Sequence, residues 1–233
     1  MCPARPALML MAAGFGLRMG KLTAARPKPL IPVAGRALID HALAVADDAG
    51  ITRRVVNTHY LGRQIVDHLA GRDVVISDEP GRILDTGGGL KKALPLLDSN
   101  PVLVLNTDEI WTGANPLTEL MQAWDPLRID GLLLMLPGDR VGRSLPDDFV
   151  MAPDGRLQRA NGARGHVYLG AQILATDGLA EIPEPVFSLN RLWDRMIAKG
   201  RAYGVVHQGG WCDVGTPEGI AKAEALLAGA ADV

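Results

Sequence analysis

Short apolar runs alternate with longer amphipathic stretches through the first half of the chain. Residues 7–11 read Ala-Leu-Met-Leu-Met, with no polar position. That pattern predicts a strand buried on both faces. Residues 38–49 carry apolar side chains at Leu38, Ile39, Ala42, Leu43 and Ala46, and Gly50 follows. This is one face of a helix with a glycine stop. The same reading predicts strands at 54–57, 74–77, 101–105 and 131–136, a helix over 61–69, and a helix after Gly87-Gly88-Gly89 running to about Leu94. Continuous apolar strands separated by helices predict an α/β fold of three layers, with a mixed, mainly parallel central sheet between helices. The second half has shorter elements and a hairpin signal at Pro153-Asp154-Gly155, so an antiparallel part of the sheet is expected there. A last helix is predicted over 217–227.

With 233 residues, 48% of them hydrophobic, the chain can bury a full core, and it is read as a single domain over 1–233. Charged residues are 21% and the net charge is −2, which argues against a nucleic-acid partner. The two cysteines, Cys2 and Cys212, do not suggest a disulfide framework, and a reducing, cytoplasmic setting is expected. No apolar stretch is long enough to span a bilayer, so no membrane partner is expected. The five histidines lack metal-ligand spacing.

After the first strand comes Met11-Ala12-Ala13-Gly14-Phe15-Gly16-Leu17-Arg18-Met19, and then Pro27-Lys28-Pro29-Leu30. Ligands of open parallel sheets gather at the carboxyl ends of strands. Small residues there let backbone N–H groups approach phosphates, and Arg18 and Lys28 could neutralise them. The glycines alone would equally suit a tight turn. A Walker loop needs Gly-Lys-Ser/Thr opening a helix, and none is present. A nicotinamide fingerprint needs a third glycine one residue before Gly20 and an acid ending the second strand, where Asn57-Thr58-His59 stands instead.

Taken with Leu22-Thr23 and Ile31-Pro32-Val33-Ala34-Gly35, this segment resembles the signature of the sugar-1-phosphate nucleotidyltransferases. The resemblance implies a Rossmann-like nucleotidyltransferase fold, with a nucleotide-binding half over about 1–112 and a sugar-binding half over about 113–233. It also implies a reaction between a nucleoside triphosphate and a sugar 1-phosphate that releases pyrophosphate. Ala12, Ala13, Gly14, Gly16 and Arg18 would contact the nucleotide, and Arg18 and Lys28 would act in catalysis.

Asn106-Thr107-Asp108 closes another apolar strand. An acid at that position is a candidate magnesium ligand, or simply a turn cap. The resemblance favours the metal, and places Asn106 at the nucleotide. Trp211-Cys212-Asp213-Val214-Gly215-Thr216 resembles the family segment whose acid supplies the second carboxylate, so Asp213 takes that role by analogy. On spacing alone Asp213 could be a helix-start acid, and Thr216 before Pro217 reads as an N-cap. Glu109 is left out of the site, because neighbouring strand residues face opposite ways.

Leu84-Asp85-Thr86-Gly87-Gly88-Gly89 resembles the N-acetylmuramate 1-phosphate uridylyltransferase subgroup, as does Asn57-Thr58-His59-Tyr60-Leu61-Gly62 with Gln64-Ile65 and His68-Leu69. Relatives use the first loop to contact the base through backbone groups, which makes Thr86, Gly87 and Gly88 nucleotide candidates. The subgroup implies UTP and N-acetylmuramate 1-phosphate, hence recycling of cell-wall sugars, with Mg²⁺ as cofactor. Tyr168, Gly170 and Asn190 are candidate sugar contacts, though each taken singly reads more readily as ordinary structure. A monomer or small homo-oligomer is expected. Alternatives are a hexose 1-phosphate guanylyl-, thymidylyl- or cytidylyltransferase, or a non-catalytic nucleotide-sugar-binding subunit. The four residues Arg18, Lys28, Asp108 and Asp213 argue against the last.

Overall fold

A computed structural model describes residues 5–141 and 147–231. Cys2 lies outside the described residues.

In chain order the elements are β1 (Ala7–Met11), the 3-10 turns Leu17–Thr23 and Lys28–Leu30, β2 (Pro32–Val33), β3 (Arg36–Ala37), α1 (Leu38–Asp48), β4 (Arg54–Thr58), α2 (Gly62–His68) and β5 (Val75–Asp78). Then follow α3 (Asp85–Leu97), β6 (Val102–Asn106), β7 (Glu109–Gly113), α4 (Pro116–Ala123), β8 (Gly131–Pro137), α5 (Gly138–Val141), β9 (Phe149–Met151) and β10 (Leu157–Arg159). The chain continues with β11 (His166–Leu174), the 3-10 turn Asp177–Leu179, α6 (Asn190–Ala198), β12 (Ala202–Val206), β13 (Gly209–Asp213) and α7 (Pro217–Ala231).

The main sheet runs β10-β9-β11-β6-β1-β4-β5, and off this path β8 pairs with β11 and β12 with β8. Pairings among β6, β1, β4 and β5 are parallel, as is β8 with β12. β11 is antiparallel to both β6 and β8, and β9 to β10. The sheet is therefore mixed, and its antiparallel part lies in the second half, as the turn spacing predicts.

Period-two alternation splits each central strand between two cores. Leu8 and Leu10 of β1 face the side of α1, with Ile39, Ala42 and Leu43. Ala7 and Met9 face the side of α3, with Leu90, Ala93 and Leu97. Leu103 and Leu105 of β6 join the first core, and Val102 and Val104 the second. Each buried Leu or Met contributes about 1.5–3 kcal/mol relative to exposure. This double-sided burial is why strands and helices must alternate in sequence.

α1 ends as predicted. Gly50 has φ +65°, and Ile51 N–H reaches back to Ala46 O at 2.9 Å, a closing turn that suits glycine. The helix near the three glycines differs from expectation: it starts at Asp85, so Gly87, Gly88 and Gly89 lie inside α3 rather than before it. Leaving out side chains there lets α3 approach residues 185–187 and Glu79 closely.

A third, smaller core positions the site. Met19 of the loop after β1, Ile31, Val33, Leu38, Ile110 of β7, Val214 and Ala223 of α7 pack together. β7 and β13 form a separate antiparallel ribbon in which Asp213 pairs with Glu109. This ribbon was not predicted, because its partners are far apart in sequence and neither shows a long apolar run.

Candidate active site

The carboxyl ends of β1, β4 and β6 open onto a cleft of about 470 Å³. Its lining includes Ala12, Ala13, Gly14, Gly16 and Arg18 from the first loop, Lys28, Asn57, Glu79, Thr86 and Asn106, with Asp108 and Gly215 at one side.

The loop's shape is set by close contacts. Gly16 has φ +64°, and a Cβ there would stand 2.9 Å from both Lys28 Cβ and Thr23 Cγ2. Only glycine combines that dihedral with that approach. Thr23 Oγ1 donates to Gly16 O at 3.1 Å, closing the loop on itself. Gly14 is exposed and lines the cleft, and a Cβ there would meet nothing within 4 Å. From the other side, Tyr60 OH donates to Thr23 O at 2.9 Å, Gln64 Nε2 donates to Ala25 O at 3.0 Å, and the Phe15 ring stands edge-on to His59 at 5.4 Å.

The charged groups converge in two pairs. Lys28, between two prolines and buried, holds its ammonium 2.5 Å from Asp108 Oδ2. Arg18, largely exposed, places a guanidinium nitrogen 3.6 Å from Asp213 Oδ2. The backbone ties the two acids together, since Val214 N–H donates to Asp108 O at 2.9 Å. Asp213 is not itself in the cleft wall, but Gly215 is, and a Cβ there would lie 2.8 Å from the Arg18 guanidinium.

Glu109, set aside on the alternation argument, lies close to both acids. Asp108 sits in the turn before β7 and not in the strand, so alternation does not separate the two residues. The Glu109 carboxyl is held well above the usual range, first by burial and then by the carboxylates of Asp108 and Asp213. Among the described residues its Oε2 has no hydrogen-bond partner. Burial, and then Asp213, also raises the Cys212 thiol.

Gly87 and Gly88 stand elsewhere than the sequence suggested. Both N–H groups donate to Phe187 O, at 2.9 and 3.0 Å, so neither faces the cleft. Asp85 and Thr86 line it instead, with Thr86 Oγ1 accepting Leu189 N–H at 2.9 Å. The three sugar candidates are not gathered there either. Asn190 begins α6 at the surface and donates to Ser188 Oγ at 3.0 Å. Tyr168 packs its ring on Trp193, its hydroxyl accepts from Gln172 Nε2 at 2.8 Å, and burial raises its pKa well above the ordinary phenol value. Gly170, at φ +74°, occupies the bulge in β11, where a Cβ would lie 2.9 Å from Asn106 Nδ2. Gly170 thereby borders a cleft residue, Asn106.

Asn57, Glu79, Ile83 and Asp85 also line the cleft, without having been singled out as site residues. Asn57 stood at a strand's carboxyl end, the same signal that marked Asp108.

Among the described residues, no three His, Cys, Asp or Glu are gathered as a metal-holding set. Two carboxylates beside a glycine-lined cleft fit the donor set of magnesium, which takes one or two carboxylates with phosphate oxygens and water.

Comparison with known proteins gives a family and a fold. Residues 8–207 match the family described as the MobA-like NTP transferase domain. The chain is 41% identical to the N-acetylmuramate alpha-1-phosphate uridylyltransferase of Caulobacter vibrioides, over 94% of this chain and 96% of that one. It is 35% identical to the protein of the same name from Neisseria meningitidis serogroup B, again over 94% and 96%. The crystal structure of HddC from Yersinia pseudotuberculosis, complexed with GMP-PN, superposes with a TM-score of 0.77 over 95% of this chain and 99% of that one; at 20% identity the likeness is one of fold.

Proposed function

Because the chain belongs to the MobA-like NTP transferase family, we propose that it joins UTP to N-acetylmuramate 1-phosphate, giving the uridine diphosphate sugar and pyrophosphate. The observation that carries the reading is the pairing of Lys28 with Asp108 and of Arg18 with Asp213 beside a glycine-lined cleft. The extended identity to two uridylyltransferases supports the choice of substrates. The product places the enzyme in recycling of cell-wall sugars, in the cytoplasm. Among the described residues no helix is long and apolar enough to cross a membrane.

The sugar phosphate, with a second pKa of roughly 6, is largely a dianion at neutral pH and needs no strong base. One of its oxygens attacks the α-phosphorus of UTP. The bond from that phosphorus to the bridging oxygen breaks, and pyrophosphate leaves with the electron pair. The obstacle is bringing two polyanions together, so positioning and charge neutralisation supply most of the rate.

The loop from Ala12 to Arg18 cradles the triphosphate, with Arg18 gripping it as a fork. Residues 83–86 and Asn106 flank the nucleoside, and the sugar lies toward Gly170. Lys28 turns from Asp108 toward the phosphates when they arrive. Asp108 and Asp213 would hold magnesium, which neutralises charge on phosphate oxygens. Gly87 and Gly88 act indirectly, by seating α3 on Phe187.

A panel of UTP, CTP, GTP and dTTP against N-acetylmuramate, N-acetylglucosamine and glucose 1-phosphates, read by pyrophosphate release, tests this. UTP with N-acetylmuramate 1-phosphate should be fastest. A faster rate with another pair would replace the substrates. No release with any pair, together with tight nucleotide-sugar binding, would make this a binding protein.

A further inference from the structure

Two segments that line the cleft are joined by one buried polar pair. Asn57 is the penultimate residue of β4 and Glu79 follows β5, and both are nearly inaccessible, at 4% and 1% exposure. Asn57 Oδ1 accepts the N–H of Ala12, in the triphosphate loop, at 2.7 Å. Asn57 Nδ2 donates to Glu79 Oε1 at 2.7 Å. Glu79 Oε2 accepts the N–H of Leu84, in the nucleoside loop, at 2.8 Å. The asparagine cannot flip, because its NH₂ would then face the Ala12 N–H. The backbone of Glu79 is fixed separately: its N–H donates to Thr58 O at 2.8 Å and its carbonyl meets His59 Nδ1 at 2.7 Å. The third glycine of the run is part of the same device. A Cβ at Gly89 would stand 2.8 Å from Glu79 Oε1 and 2.9 Å from Asn57 Nδ2.

We propose that Asn57 and Glu79 are positioning residues that lock the triphosphate loop to the nucleoside loop and so fix where the α-phosphorus stands between them. The inference rests on the nucleotide site proposed above. Neither residue needs to touch the reacting atoms. Each acts through a backbone amide, and the chain Ala12–Asn57–Glu79–Leu84 transmits the position of one loop to the other. Low dielectric around the pair makes each missing partner costly.

The chemistry allows a reciprocal swap as the test. In Asn57→Asp two carboxylates oppose each other. In Glu79→Gln one oxygen must serve two donors. In the double variant, the carboxylate now at position 57 accepts from Ala12 N–H and from the amide NH₂ now at position 79, and the oxygen of that amide accepts from Leu84 N–H. Every hydrogen bond is restored, and the charge is conserved. Each single variant should lower kcat about tenfold or more, with KM for the sugar phosphate within about threefold. The double should return to within about threefold of wild type. Hydrogen exchange of the Ala12 and Leu84 amides should speed up in the singles and slow again in the double.

Rates measured with UTP, CTP, GTP and dTTP separate this from the base assignment, since a wrong base changes which triphosphate works but not the swap pattern. If wild type turns over none of them, the proposed function falls, and amide exchange in the four proteins still decides whether the pair couples the loops. Should Asn57→Asp fail to fold, Glu79→Gln against the double carries the comparison. Singles as fast as wild type, or a folded double no better than the slower single in rate and exchange, would overturn the proposal.

Discussion

Replacing Asp213 by Asn separates catalysis from folding more cleanly than the same change at Asp108. The carboxylate faces Arg18 at 3.6 Å, with the two side chains 66% and 29% exposed for Arg18 and Asp213. An ion pair so open to water contributes at most about 1 kcal/mol. Asp213 also raises the energy of the neighbouring Glu109 carboxylate, so its neutralisation relieves some repulsion. The two effects oppose each other, and Tm should move by no more than about 4 °C for a chain of this size. The rate should respond differently. Loss of a group that organises transition-state charge costs about 2.7–4 kcal/mol, or 10²–10³ in kcat. Asp108→Asn gives a useful contrast. It takes the partner from a lysine ammonium whose side chain is 9% exposed, so it should cost stability as well, about 1.5–3 kcal/mol. The assay is pyrophosphate release across a magnesium titration, with a thermal melt on each variant. Asp213→Asn turnover within about threefold of wild type would remove this acid from the site, given the expected loss. A fall in Tm beyond about 10 °C would assign the lost rate to unfolding and refute the exposed-pair argument.

Arg18→Ala should raise KM for the triphosphate about tenfold or more, the worth of a charge-assisted contact, with an unchanged melt because the side chain is largely exposed. Steady-state kinetics with varied UTP measure it, and unchanged kinetics would exclude Arg18. Removing divalent ions with EDTA should stop turnover and leave the far-ultraviolet circular dichroism intact, with activity returning on adding Mg²⁺; full activity in EDTA would contradict the ligand assignment. Gly88→Ala should destabilise, because the added Cβ would collide with the Pro185 carbonyl oxygen and stand 3.1 Å from Leu84 Cβ. Overpacking costs about 1–3 kcal/mol, and the gain in helix propensity, up to about 1 kcal/mol, offsets only part of it. A differential scanning melt should show Tm several degrees lower, and an equal or higher Tm would refute the close-packing account.

The amino-acid order alone determined the alternation of strand and helix, because the central strands are buried on both faces and show as runs of consecutive apolar residues, such as Leu8, Met9 and Leu10. It marked Gly50 as a helix stop, because that role depends on one residue's dihedral freedom. It brought forward Arg18, Lys28, Asp108 and Asp213 as well, through motifs that are contiguous in the chain. What it could not decide was anything created by distant segments meeting. Gly87 and Gly88 read as a ligand loop in one dimension, and only the approach of Phe187 commits their amides elsewhere. Glu109 was discarded on strand alternation, a rule about neighbours, whereas its surroundings are set by β13 arriving antiparallel from far along the chain. Asn57 and Glu79 carry no local signature of their joint task, since a hydrogen bond between them exists only once β4 and β5 lie side by side. Local conformation is encoded in short windows; convergence is a property of the packed core around Met19, Ile110 and Val214, which draws the ribbon and the loop together.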